Sequence, residues 1–120
     1  MTGFGYNVNG FGAFTSGSIL AVEYLIVGGG GSSGASWGGG GGAGGTIDSS
    51  IELVGGVGYT VTIGAGGAAP TPGGSGYSNT ADGNKGVNTT LAGTGITTLT
   101  AEGGGRAGGK YRLRYWVTGG

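Results

Sequence analysis

The sequence predicts an all-β fold: a small β-sandwich or meander of short strands, with glycine-rich, polyproline-II-like loops and an aromatic N-terminal arm. Three observations carry this. Glycine supplies 37 of the 120 residues, in runs such as 28–31 and 38–42. The segments between the runs alternate apolar and polar residues with a period of two, the mark of strands. No stretch repeats its apolar residues at helical spacing. A glycine in regular structure is less stable than an alanine by about 0.5–1 kcal/mol. A chain with this load must gain what glycine alone permits, backbones packed at very close range.

The elements follow in order. Residues 3–14 hold Phe4, Tyr6 and Val8 in alternation, then Asn9-Gly10, a dipeptide favoured in type I′ hairpin turns. Residues 1–18 read as an arm or hairpin for assembly, and 19–120 as the glycine-rich β domain. Residues 19–27 form the strongest strand, apolar on both faces, as for a strand covered on both sides. The run 28–45 follows, with Trp37 in its middle. It is no helix, and is either a loose loop or extended backbone packed on similar segments. Residues 46–54 and 59–63 alternate cleanly as strands. Residues 64–76, with Pro70 and Pro72, are a second glycine-rich loop, and 77–86 are polar and turn-rich. Weaker, threonine-rich strands are expected at 87–91 and 96–101. A third glycine run spans 102–109, and a strand at 111–117 closes the chain. Glycine does not recur at every third residue throughout, which excludes a collagen triple helix.

Composition narrows the function. Charged residues make up only 8% of the chain, five acids against five bases. A soluble monomer surface usually carries about 25–35%, so this chain is expected to associate as a lattice, fibre or trimer. The 32 large apolar residues suffice for one thin core. Arg106, Lys110, Arg112 and Arg114 make the last twenty residues basic, more as a solvated or interfacial face than as a nucleic-acid site. There is no cysteine for a disulfide or thiolate ligand, and no histidine. The N-terminus lacks a basic leader, and the apolar stretch 19–27 is short and interrupted by Glu23. Neither a signal peptide nor a membrane span is expected.

Two phosphate-binding patterns occur and fail on mechanism. Gly29-x-Gly31-x-x-Gly34 with Asp48 downstream matches a dinucleotide fingerprint, but no helix can begin there to hold a pyrophosphate. Gly104 to Gly109-Lys110 is followed by Tyr111, where a magnesium-binding Ser or Thr belongs. The glycosylation sequon Asn88-Thr89-Thr90 lacks a secretory route. Glu23, Asp48, Glu52, Asp82 and Glu102 lie on five different segments, without histidine, cysteine or a nucleophile motif. The expectation is a protein that is not an enzyme and carries no cofactor or metal.

The succession Val22-Glu23-Tyr24-Leu25-Ile26-Val27 into glycines 28–31, the glycine run around Trp37, and Tyr59-Thr-Val-Thr-Ile-Gly-Ala-Gly-Gly67 resembles the glycine-rich domains of tailed-bacteriophage structural proteins, over roughly residues 19–109. The resemblance implies a virion structural protein made in the host bacterial cytoplasm: a capsid decoration or cement protein, or a short fibre subunit. Its partners would be other copies of itself and other virion proteins, the major capsid or fibre protein. Phe4, Tyr6, Phe11 and Phe14 are the expected assembly contacts. The alternative is a tail-fibre adhesin module that binds a host receptor or surface glycan through Trp37 and Tyr77. In the adhesins it looks like, glycine-rich segments form packed polyglycine helices whose loops touch the receptor. A third reading, an ice-active surface, uses the threonines at 60, 62, 97, 98 and 100.

Overall fold

The computed structural model describes residues 17–35, 38–71 and 81–109. It is all-β, with five strands in two small antiparallel sheets and no helix among the described residues. Strands β1 (Ile19–Val27) and β2 (Thr46–Val54) form a two-stranded ribbon. β3 (Tyr59–Thr62), β4 (Thr89–Gly93) and β5 (Leu99–Ala101) form a three-stranded sheet in that order. β1 and β2 occupy the residues expected of them. Of the threonine-rich strands, β4 is shifted two residues along the chain, because 87–88 belong to the preceding segment, and β5 is shorter, because 96–98 precede it.

The glycine runs are not loose loops. Five extended segments, 28–35 (p1), 38–45 (p2), 64–71 (p3), 81–88 (p4) and 102–109 (p5), lie side by side and exchange backbone hydrogen bonds. In p1 the N–H groups of Gly28, Gly31 and Gly34 donate to Gly45, Gly42 and Gly39 of p2, at 2.8–3.0 Å. The N–H groups of Gly29, Ser32 and Ala35 donate to Val87, Asn84 and Ala81 of p4, at 2.9 Å each. Each partner recurs every third residue, which is the repeat of a polyproline-II-type helix. Such a helix has no internal hydrogen bonds, so its amides point outward and are free to bond neighbours.

The carbonyls complete the bundle. Gly29 and Ser32 accept from Gly104 and Ala107 of p5, at 2.7 and 3.2 Å, and Gly30 accepts from Gly67 of p3, at 2.8 Å. Thus p1 is the centre, and p2, p5, p4 and p3 form an arc around it. The arc is itself bonded: Gly42 to Gly105, Gly86 to Gly104, and Val87 to Ala65, each at 2.9 Å. Burial follows the same period of three, with Gly83, Gly86 and Thr89 buried in one run and Ala101, Gly104 and Ala107 in the next. In β2 it alternates by two.

Each antiparallel β pair runs into a polyglycine pair without a change of register. Val27 faces Thr46 in the ribbon, and the next bond joins Gly28 to Gly45. Thr89 faces Ala101 across β4 and β5, and Gly86 then bonds Gly104. The sheets therefore lie at one end of the bundle. At the other end p1, p3 and p5 finish, and p2 and p4 begin.

Glycine is required here for space. Among the described residues only Gly17, Gly56 and Gly95 have left-handed φ, and all three lie in turns outside the bundle. A Cβ built on Gly28, Gly31 or Gly34 would come within 3.0 Å of carbonyl groups of p5. Gly38, Gly41 and Gly44 of p2 meet p1 in the same way, and Gly83 and Gly86 of p4 likewise. At these contacts a Cα hydrogen points at a carbonyl oxygen, a weak favourable contact that a methyl group would abolish.

Three expectations need correction. The apolar core is nearly absent: Ile26, Ala35, Ala101 and Ala107 are the buried hydrophobic residues among those described, and no large side chain is fully enclosed. The enclosed material is peptide backbone instead. Second, β1 is not covered on both faces, since Leu25 and Ile19 are 65% and 66% exposed. Leu25 is paired with Asp48 on the solvent side of the ribbon. Third, residues 81–86 are no turn-rich loop but part of p4. Its polar residues bond neighbouring segments: the Asn84 N–H donates to Ser32 Oγ of p1, and the Asn84 side-chain amide donates to the Ala68 carbonyl of p3, both at 2.8 Å.

This packing makes unlike predictions for glycines that look alike in sequence. Gly86→Ala drives a methyl group into the Gly29 carbonyl and should lower stability by at least about 2–3 kcal/mol, the upper range for overpacking. Gly40→Ala meets nothing within 4 Å and should be neutral or raise stability by up to about 1 kcal/mol, through the less flexible unfolded chain. Denaturant unfolding of the two variants reads the difference.

Candidate interaction surfaces

The expected site residues Phe4, Tyr6, Phe11, Phe14, Trp37 and Tyr77 all lie outside the described residues, as does the strand expected at 111–117. What the structure supplies is the frame that carries them, and this frame has two unlike ends.

At the end remote from the sheets, p1 stops at Ala35 and p2 starts at Gly38, on either side of Trp37. There p3 reaches Thr71 and p4 begins at Ala81, on either side of the stretch with Tyr77. These termini are tied together. Ala35 donates to the Ala81 carbonyl at 2.9 Å, and Gly39 to that of Gly108 at 3.4 Å. Asp82 holds the end of p5: Oδ1 accepts the Gly109 N–H at 2.7 Å, and Oδ2 lies 3.6 Å from Arg106. The topology thus gathers three chain connections at one tip. This convergence was not legible in the sequence, where Trp37 and Tyr77 are forty residues apart.

At the sheet end, large apolar side chains remain uncovered: Leu25, Val27, Val61 and Ile63 are 65%, 48%, 63% and 75% exposed. They border a cleft of about 380 Å³ between β1 and the β3–β4 edge. Tyr24, Ile26, Thr89 and Leu91 also line it. Here the sheets splay as side chains replace glycine, so the close backbone contact of the bundle is lost.

The ionisable residues do not converge in the cleft. Glu23, Asp48 and Glu52 share the exposed outer face of the ribbon, since Leu25 pairs with Asp48 and Ala21 with Glu52. Glu102 pairs with Lys85 at 3.6 Å on the surface. No group of three or more acidic, histidine or cysteine side chains among the described residues is placed to hold a metal ion. The two phosphate-like glycine patterns lie in p1 and at p5, where most amides are already bonded to neighbouring segments or side chains, and p1 is itself extended backbone, not the start of a helix. Of the threonines singled out, Thr60 and Thr62 share a face of β3 with Thr90 and Thr100, paired across the sheet. Thr97 and Thr98 precede β5.

The family model described as a glycine-rich domain matches residues 9–120. The chain belongs to this glycine-rich domain family. The match takes in Phe11 and Phe14 and begins after Phe4 and Tyr6. No curated protein and no solved structure matches the chain. For this glycine-rich domain, the tip geometry has a direct test at Asp82. Asp82→Asn keeps the acceptor for the Gly109 N–H and loses only an exposed ion pair, a change of under about 1 kcal/mol. Asp82→Ala removes the acceptor too and should cost about 1–2 kcal/mol. Chemical denaturation of both variants separates the two contributions.

Proposed function

We propose that this glycine-rich domain is a non-enzymatic structural subunit of a phage virion, a short fibre or capsid decoration subunit that acts through repeated protein–protein contacts. The observation that carries the reading is the division of labour between the two ends. A bundle held by its own backbone needs no apolar core, yet Leu25, Val27, Val61 and Ile63 stand uncovered at the sheet end. Exposed apolar surface gathered in one place marks an interaction site. The likeness of the strand and glycine succession to tailed-phage structural proteins supports a particle as its setting, with the major capsid or fibre protein and further copies of the chain as partners. Symmetry repeats each weak contact, and avidity sums them.

The assembly contacts in this reading are Phe4, Tyr6, Phe11 and Phe14. Removal of residues 1–14 should abolish incorporation into particles, measured by protein content of purified virions. Normal incorporation of the truncated chain would overturn the assignment.

A second reading is favoured by the tip. The connections that contain Trp37 and Tyr77 leave the bundle at the same end, as a module that touches a host receptor or glycan requires. Trp37→Ala should then abolish cell binding, in an adsorption assay, without loss of assembly. In a purely architectural subunit the same substitution leaves adsorption unchanged.

A further inference from the structure

We propose that the cleft beside β1 is the seat of the chain's own N-terminal arm, residues 1–16, which lies along the open edge of β1 in the free protein. The cleft lies at this edge. Among the described residues β1 pairs with β2 alone, and its other side faces Val61 and Ile63 across the cleft. An unpaired strand edge next to exposed apolar side chains is a template for strand addition.

The point of departure fits this occupant. Gly17 donates to the Gly55 carbonyl at 3.1 Å, and so stands at the sheet end of the ribbon. Its φ of 95° is one that only glycine adopts readily, so the chain can reverse there. From Gly17 to the cleft, at Tyr24–Val27, is about 25–35 Å at roughly 3.3 Å per residue. Sixteen extended residues reach about 53–58 Å. A reversal at Gly17 brings Val8 about level with Leu25.

Chemistry favours the arm over the other end of the chain. Residues 1–16 carry no charge and hold Phe4, Tyr6, Val8, Phe11 and Phe14. The C-terminal stretch carries Lys110, Arg112 and Arg114 and leaves from the remote tip after Gly109. To reach an apolar cleft it would have to retrace p5 and bury cations. The tether also holds the arm at a high effective concentration beside its own cleft. The proposal shares these residues with the virion reading: in the free subunit the arm covers its own cleft, and the arm and cleft become contacts for other subunits only when the arm leaves its seat.

The chain contains no cysteine, so a designed pair reports cleanly. In the full chain, oxidation of Val8→Cys with Leu25→Cys should give a disulfide-linked monomer. Val8→Cys with Ser33→Cys, on the exposed flank of the bundle, should not. Linked dimers alone would transfer the site to a second copy's arm and overturn the proposal. Equal linkage at Ser33, no linkage at all, or capture of Tyr115→Cys in place of Val8→Cys would overturn it as well. As a second measure, Val61→Asp places a charge on an exposed cleft wall. It should speed chymotryptic cleavage after Phe11 and Phe14 about tenfold, as cleavage follows the open population. Unchanged cleavage would speak equally against the arm's seat.

Discussion

Everything in this structure depends on the distance at which two peptide backbones can run side by side without side chains between them. A polyproline-II-type segment turns every third residue back to the same neighbour, and its amides and carbonyls point outward. One segment alone leaves them to water. Five together satisfy them mutually, and p1 is bonded on four sides. The condition is that a Cα hydrogen, and no Cβ, faces the neighbouring carbonyl. Gly28, Gly31 and Gly34 meet that condition toward p5, and Gly83 and Gly86 toward p1.

The strands make this assembly possible. Each polyglycine pair continues a β ladder in register, so β1 with β2 and β4 with β5 align the segments before the glycines meet. Side chains at the bundle's rim then close what the backbone leaves open. Thr89, itself buried, accepts the Gly64 N–H at 2.9 Å, and Asn88 accepts that of Gly103 at 2.8 Å. No buried side-chain polar atom among the described residues lacks a partner.

Much of the β portion was legible: the apolar run at 19–27 located β1 and period-two alternation located β2, both to the residue. The bundle was legible only as one of two options for the glycine runs. Its period of three is hidden where neighbouring positions are glycine too: Gly41 is sterically required and Gly40 is not, yet both belong to one run. Segment p4 was misread for the opposite reason. Asp82, Asn84 and Asn88 are turn formers by local preference, and here the same hydrogen-bonding capacity is spent on backbone N–H and C=O groups of other segments. Nothing local to Leu25 reveals that its face of the ribbon is open, since that depends on which segments surround β1.

The scarcity of enclosed hydrocarbon has a thermal consequence. Exposure of apolar surface raises the heat capacity on unfolding, and exposure of polar surface lowers it. With Ile26 the only large aliphatic side chain buried among the described residues, melting this molecule uncovers mostly amide. Its free energy should therefore bend less with temperature than that of an oil-cored domain of equal length, and change little toward the cold. Scanning calorimetry would register a small baseline step; a step of the ordinary size, about 12–15 cal/mol/K per residue, would contradict an interior of this kind.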